Sequence, residues 1–195
     1  MRKNLQLLSA ALLSAGILSA PAALVAQQAP AAAPANPITA SEKGLYMVIS
    51  GNVVKAAEKM PEENYSFKPT PEVRSFGQIV GHVADANYSF CAQATGQPNP
   101  DKNIEKTKTS KADLVAAIKD AVAYCGNAFD QTTDASGAAL VQFGHFQLAK
   151  LTLLSLNTAH TDEHYGNLVT YLRIKGIVPP SSENSSAPPP KTSGQ

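Results

Sequence analysis

The sequence predicts an all-α protein, an antiparallel four-helix bundle, and three observations carry that prediction. Four segments repeat their apolar residues with a helical period, each ends at a stop signal, and no alternating run of comparable length reads as a strand. Four amphipathic helices in one small domain bury their apolar faces most simply against one another.

The first helix is expected over residues 41–60, where Leu45, Val48, Ile49, Val53, Val54 and Ala57 share one side and Pro61 ends the run. A loop, PEENYSFKPTPEVR, follows, and its prolines rule out a regular element. The second helix starts at Ser75, whose spacing to Gln78 is that of a capping box, and it stops near Gly96. Its apolar stripe is Phe76, Ile79, Val83 and Phe90. Ser110 and Asp113 signal a third helix that reaches Gln131. The fourth covers residues 147–175 and is stopped by Gly176, Pro179 and Pro180.

The flanks have other compositions. Residues 1–26, MRKNLQLLSAALLSAGILSAPAALVA, run from a basic start through a Leu/Ala-rich stretch to small residues, the layout of a secretory signal peptide. The expectation is a mature protein, periplasmic or secreted, with no membrane-spanning segment. Residues 27–37 are Ala/Pro-rich and read as a linker, residues 38–180 as the bundle domain, and residues 181–195 as a polar, Pro-rich disordered tail. Export gives Cys91 and Cys125 two readings: a disulfide, which an oxidising compartment would preserve, or two buried thiols packed as small hydrophobes.

Charge narrows the function. Sixteen Lys and Arg against fifteen Asp and Glu give +1; without Arg2 and Lys3 the count is 14 against 15, or −1. That balance gives no electrostatic case for nucleic acid or an anionic membrane. The chain has no P-loop, no G-x-S-x-G and no G-x-G-x-x-G, so nucleotide use and hydrolase-elbow chemistry find no support. The expected partner is a small molecule, and a homodimer through an exposed helix face stays open.

The four histidines are more informative. His160 and His164 are one turn apart in the fourth helix, so both imidazoles fall on one face within reach of a single ion. At 100° per residue they share a stripe with Leu153, Leu156, Asn167, Tyr171 and Ile174, which is expected to face the bundle. His82 sits at the edge of the second helix's apolar stripe, beside Gln78, Asp85 and Ser89. Cys91 lies nine residues on and half a turn around, so it is expected to point away from His82. His145, in the stretch SGAALVQFGHF, is a weaker candidate for a fourth ligand. The competing reading is core-edge imidazoles hydrogen-bonded to Asn or Tyr neighbours.

Two stretches, PEENYSFKPTPEVRSFGQIVGHVADA and NTAHTDEHYGNLVTYLR, resemble the DinB-like family of metal-dependent four-helix proteins. The family pattern is one His in the second helix and H-x-x-x-H in the last, followed two residues later by Gly. Here these are His82, His160, His164 and Gly166, with Tyr165 where Arg is common. The resemblance implies transferases or isomerases that work on low-molecular-weight thiols.

Three imidazoles suit a divalent transition metal, Zn²⁺, Ni²⁺ or Fe²⁺, rather than Ca²⁺ or Mg²⁺, and leave a coordination position for water or substrate. Asp85 and Glu163 are the candidate catalytic residues for acid/base work, with Asn167 and Tyr171 as polar neighbours. Two function classes remain: a metal-dependent transferase or hydrolase acting on a small thiol or other small molecule, and a non-catalytic metal- or small-ligand-binding protein of the periplasm.

Overall fold

In the computed structural model, which describes residues 35–100 and 103–183, Pro37 occupies the first turn of helix α1. There its fixed φ suits the helix and its missing N–H leaves nothing unpaired, so α1 runs Pro37–Lys59, earlier than expected. The expected linker therefore ends inside the first helix, and the segment read as a signal peptide lies outside the described residues.

The second long helix, α2, is Phe76–Thr95. Its capping box is formed: Gln78 N–H donates to Ser75 Oγ at 3.2 Å, and Ser75 N–H donates to Gln78 Oε1 at 2.9 Å. Gly96 closes it in the left-handed conformation, φ +74°. A single turn, α3 (Ile104–Thr107), precedes α4 (Lys111–Asp130), where Asp113 N–H donates to Ser110 Oγ at 3.1 Å. Another turn, α5 (Asp134–Gly137), leads to strands β1 (Leu140–Phe143) and β2 (Phe146–Ala149), and the last long helix, α6, is Lys150–Ile174.

The strand pair corrects the expectation that residues 147–149 begin the fourth helix. β1 and β2 are antiparallel, with Phe143 opposite Phe146, so the loop is Gly144 and His145 alone. Gly144 has φ +57°, as the first central position of a tight hairpin turn demands. Four-residue strands are too short for an alternation to stand out in sequence.

Two contacts for each of four helix pairs fix the helix directions. Lys43 pairs with Asp130 and Lys119 with Glu58, so α1 and α4 run oppositely. Asn87 meets Asn157 while Tyr171 reaches back to Arg74, so α2 and α6 do too. Gly77 faces Leu114 and Cys91 joins Cys125, which makes α2 and α4 parallel; Glu42 meets Ser155 and Lys59 meets Val178, which makes α1 parallel to α6. The bundle thus joins two antiparallel pairs, up, down, down, up, in the ring order α1, α4, α2, α6. The parallel α2–α4 step needs a connection that travels back along the bundle, and the segment carrying α3 supplies it.

Two apolar clusters fill the interior. One centres on Met60, Phe76, Val80, Ile118, Leu168 and Leu172, the other on Tyr46, Phe129, Leu153, Leu154 and the two cysteines. Between them lies a buried polar layer of Ser50, Asn87, Asn157 and Thr161. Tyr46 Oη donates to Asn87 Oδ1 at 2.7 Å, and Asn157 Nδ2 donates to the same oxygen at 3.0 Å. Cys91 and Cys125, both buried, form a disulfide with their Cα atoms 5.3 Å apart, which decides between the two readings of these residues.

This polar layer shifts the helical stripes drawn from apolar residues, of which Val53, Ala57, Leu153, His164 and Tyr171 are buried as expected. Leu45, Val48, Leu156 and Ile174 are exposed, while Tyr46, Ser50, Asn157 and Thr161 take the inward positions. The expected tail also starts too early. Pro180–Ser182 form a 3-10 turn, Tyr165 Oη donates to Ser181 Oγ at 2.8 Å, and Lys59 pairs with Glu183 at 2.5 Å; residues 184–195 lie outside the described residues. Among the described residues no helix is long and apolar enough to cross a membrane.

Candidate metal centre

α2 and α6 cross so that an early turn of one meets the middle of the other, and three imidazoles converge at that crossing. His82 Nε2 lies 3.2 Å from His160 Nε2, which lies 3.2 Å from His164 Nε2. One ring nitrogen from each of the three falls within 4.8 Å of the others. Zinc–imidazole bonds of about 2.0–2.1 Å put tetrahedral ligand nitrogens about 3.3 Å apart, so the observed spacing matches what one ion requires. The donors are all neutral nitrogens, which suits the borderline divalent metals.

Burial keeps these rings neutral. His164 is 8% exposed, and desolvation, with the charges of His160 and His82 adding to it, pushes its pKa down to about 4. Burial also lowers His82, with Arg74 second and Glu105 opposing, and lowers His160, with His82 second and Glu163 opposing. A ligand must be deprotonated to bind a metal, so the site is prepared for one at neutral pH.

The far sides of the rings differ. His82 Nδ1 stands 3.2 Å from Glu105 Oε2, and His164 Nδ1 stands 3.3 Å from the Asn167 amide. His160 Nδ1 is buried without a hydrogen-bond partner among the described residues. Phe90 packs against His160 with ring centroids 5.6 Å apart, and Phe143 of the hairpin stacks on Phe90 at 5.6 Å. The hairpin therefore walls the centre on its apolar side, although His145 itself is exposed in the turn and stands outside the three-His group.

The other side opens. A cleft of about 580 Å³ is lined by Arg74, Glu105, Glu163, His164, Asn167 and Tyr171, among others. Tyr171 Oη donates to the Arg74 carbonyl at 2.6 Å and so fixes the cleft's edge. A larger depression, about 760 Å³, lies between the end of α2 and the hairpin; its lining among the described residues includes Gln93, Gln97, Gln142 and Lys150 and neither a histidine nor a carboxylate. Of the three imidazoles His164 lines the first cleft, together with the carboxylates of Glu105 and Glu163.

The DinB superfamily model matches residues 50–168, more than half of the chain. The chain belongs to the DinB superfamily. The fold agrees: a crystal structure of a DinB-like protein from Bacillus cereus ATCC 10987 superposes with a TM-score of 0.64 at 15% identity, covering 72% of this chain and 95% of that one. A DinB-like protein from Bacillus subtilis gives 0.60 at 22% identity, covering 71% and 94%. A conserved protein from Enterococcus faecalis gives 0.60 at 13% identity, covering 70% and 96%. No curated protein matches the chain.

Within this DinB-superfamily chain the expected residues fall in different places. His82, His160 and His164 come together. Glu163 is exposed at the rim of the cleft, where its charge acts on His82 and His160. Asp85 faces α3 instead: its two oxygens accept the N–H groups of Ile104 at 2.8 Å and Glu105 at 3.0 Å. Glu105 and Arg74 are the polar residues of the site that sequence reading missed. Their signals, a carboxylate in a four-residue turn and an arginine in a proline-rich loop, carry no periodicity that would place them beside His82.

Proposed function

We propose that this protein binds one divalent transition metal, Zn²⁺, Ni²⁺ or Fe²⁺, through His82, His160 and His164, and that it uses the open cleft to act on a small molecule. The convergence of three Nε2 atoms at ligand spacing carries this reading. An ion held by three imidazoles supplies Lewis acidity to a thiol or water that joins it.

The chain's own residues supply the rest. Arg74, Asn167 and Tyr171 line the cleft and orient a small substrate against the centre. Glu163 lies beside them at the rim, and its carboxylate would accept the proton that a thiol or water gives up. The hairpin with Phe90 keeps solvent from the opposite side of His160. Transfer or hydrolysis on a small thiol-bearing molecule fits such a layout, and the open cleft favours it over a closed storage site. The buried disulfide supports an oxidising, extracytoplasmic location for the mature protein.

Elemental analysis of the purified chain is the direct test. About one equivalent of Zn, Ni or Fe per chain is expected; no first-row metal above trace level, even after incubation with each, overturns the proposal. For catalysis, Glu163→Gln should retain the metal and lose turnover of any thiol substrate found; full turnover in that variant removes Glu163 from the chemistry.

A further inference from the structure

Among the described residues His82 is the one ligand whose outer nitrogen meets a carboxylate, and that carboxylate comes from a segment with little stability of its own. α3 has four residues, far below the length at which a helix holds itself together. It is fastened to α2 in two ways. Asp85 accepts its first N–H groups, from Ile104 and Glu105, and thereby fills the role of a helix cap from a neighbouring helix. Gly81 lets the two backbones meet: a Cβ there would stand 2.7 Å from Glu105 Cα. Ile104 is buried against the same face, and Arg74 Nε donates to Glu105 Oε1 at 2.9 Å, leaving Oε2 directed at His82 Nδ1.

We propose that Glu105 is a positioning residue of the metal centre. Its carboxylate holds the His82 proton on Nδ1, which leaves the Nε2 lone pair aimed at His160 and His164, and Asp85 and Gly81 fix that carboxylate through α3. This inference rests on the metal-binding reading above. A neutral imidazole carries one N–H, and without an acceptor at Nδ1 the proton can occupy Nε2 and block the ligand. Carboxylates in this position tune metal affinity by about 10–100-fold. Gly81, His82 and Asp85 lie within five consecutive residues of α2, so a single stretch of helix presents the ligand and anchors the group that orients it.

Two measurements on the full chain test the proposal. Competition of Zn²⁺ against a chromophoric chelator should show affinity about 10–100-fold weaker in Glu105→Ala, largely restored in Glu105→Gln, whose amide oxygen accepts the same hydrogen bond. Asp85→Ala should shift affinity in the same direction as Glu105→Ala. Nitrogen-15 NMR of the metal-free protein at pH 8 should find wild-type His82 protonated at Nδ1, and Glu105→Ala should lose that single tautomer. A wild-type His82 protonated at Nε2 overturns the inference without recourse to any variant, and so does an unchanged tautomer in Glu105→Ala. If the wild type binds none of Zn²⁺, Ni²⁺ and Fe²⁺, the metal reading falls separately, and the tautomer result alone decides the role of Glu105.

Discussion

His82 and His160 are 78 residues apart in the chain, yet their Nε2 atoms stand 3.2 Å apart across the α2–α6 crossing. Two ring nitrogens at that separation, with a third beside His160, form a donor set that one ion can satisfy, and the contact makes each ring's contribution separable by substitution.

Substituting His160 or His164 by Ala should remove stoichiometric metal, read by elemental analysis, while far-UV circular dichroism keeps most of its helical signal. His145→Ala should keep the wild-type metal content, because that ring lies in the exposed hairpin turn. Wild-type metal in both of the first two variants contradicts the three-His centre.

Metal removal should lower thermal stability, because an ion that binds only the folded state stabilises it. At a free concentration one hundred times the Kd this is about 2.7 kcal/mol. A chelator titration followed by thermal melts should show a drop in Tm that added Zn²⁺ reverses, and the His164→Ala variant should show no such response.

Acid should act on the metal-free protein through the same rings. All three pKa values are lowered on folding, His164 to about 4, so the unfolded chain binds more protons between that value and the ordinary histidine value near 6.5. Stability therefore rises with pH across that window. The contribution is fully present above about pH 6.5 and is lost as pH falls toward about 4. Denaturant midpoints measured from pH 4 to 7.5 should follow this curve, and the triple His→Ala variant should flatten it.

Reduction or replacement of the Cys91–Cys125 disulfide should destabilise the bundle. The bridged residues are 34 apart, and a loop of that length gives roughly 3–4 kcal/mol in the chain-entropy picture. Urea unfolding of Cys91→Ser/Cys125→Ser against wild type measures it, and a difference under about 1 kcal/mol contradicts the estimate.

In the polar layer, Tyr46→Phe removes the hydroxyl that donates to Asn87 Oδ1 at 2.7 Å, while Asn157 Nδ2 continues to satisfy that oxygen. The cost should be about 0.5–1.5 kcal/mol, that of one hydrogen bond and not of an orphaned acceptor. Denaturant unfolding checks this, and a loss above about 3 kcal/mol places the layer's stability in Tyr46 itself.

The sequence by itself determined the four long helices, because capping residues, glycine stops and prolines act through the local backbone and leave their signals at fixed offsets. The Ser75 box, the Ser110 cap and the left-handed Gly96 and Gly176 all sit where those signals put them. It also singled out His160 and His164, since helical spacing alone puts them on one face. Gly166, part of the family pattern, meets nothing within 4 Å of an added Cβ, so packing gives no reason for it.

Tertiary structure decided the rest. The inward faces of α1 and α6 follow a buried polar layer that no apolar periodicity reports, so Leu156 turns out to be exposed and Asn157 buried. The meeting of His82 with the α6 pair depends on the antiparallel crossing, and the place of Glu105 depends on α3 running back along α2 past Gly81. These are relations between segments far apart in the chain, and they exist only once packing has chosen which helix lies against which.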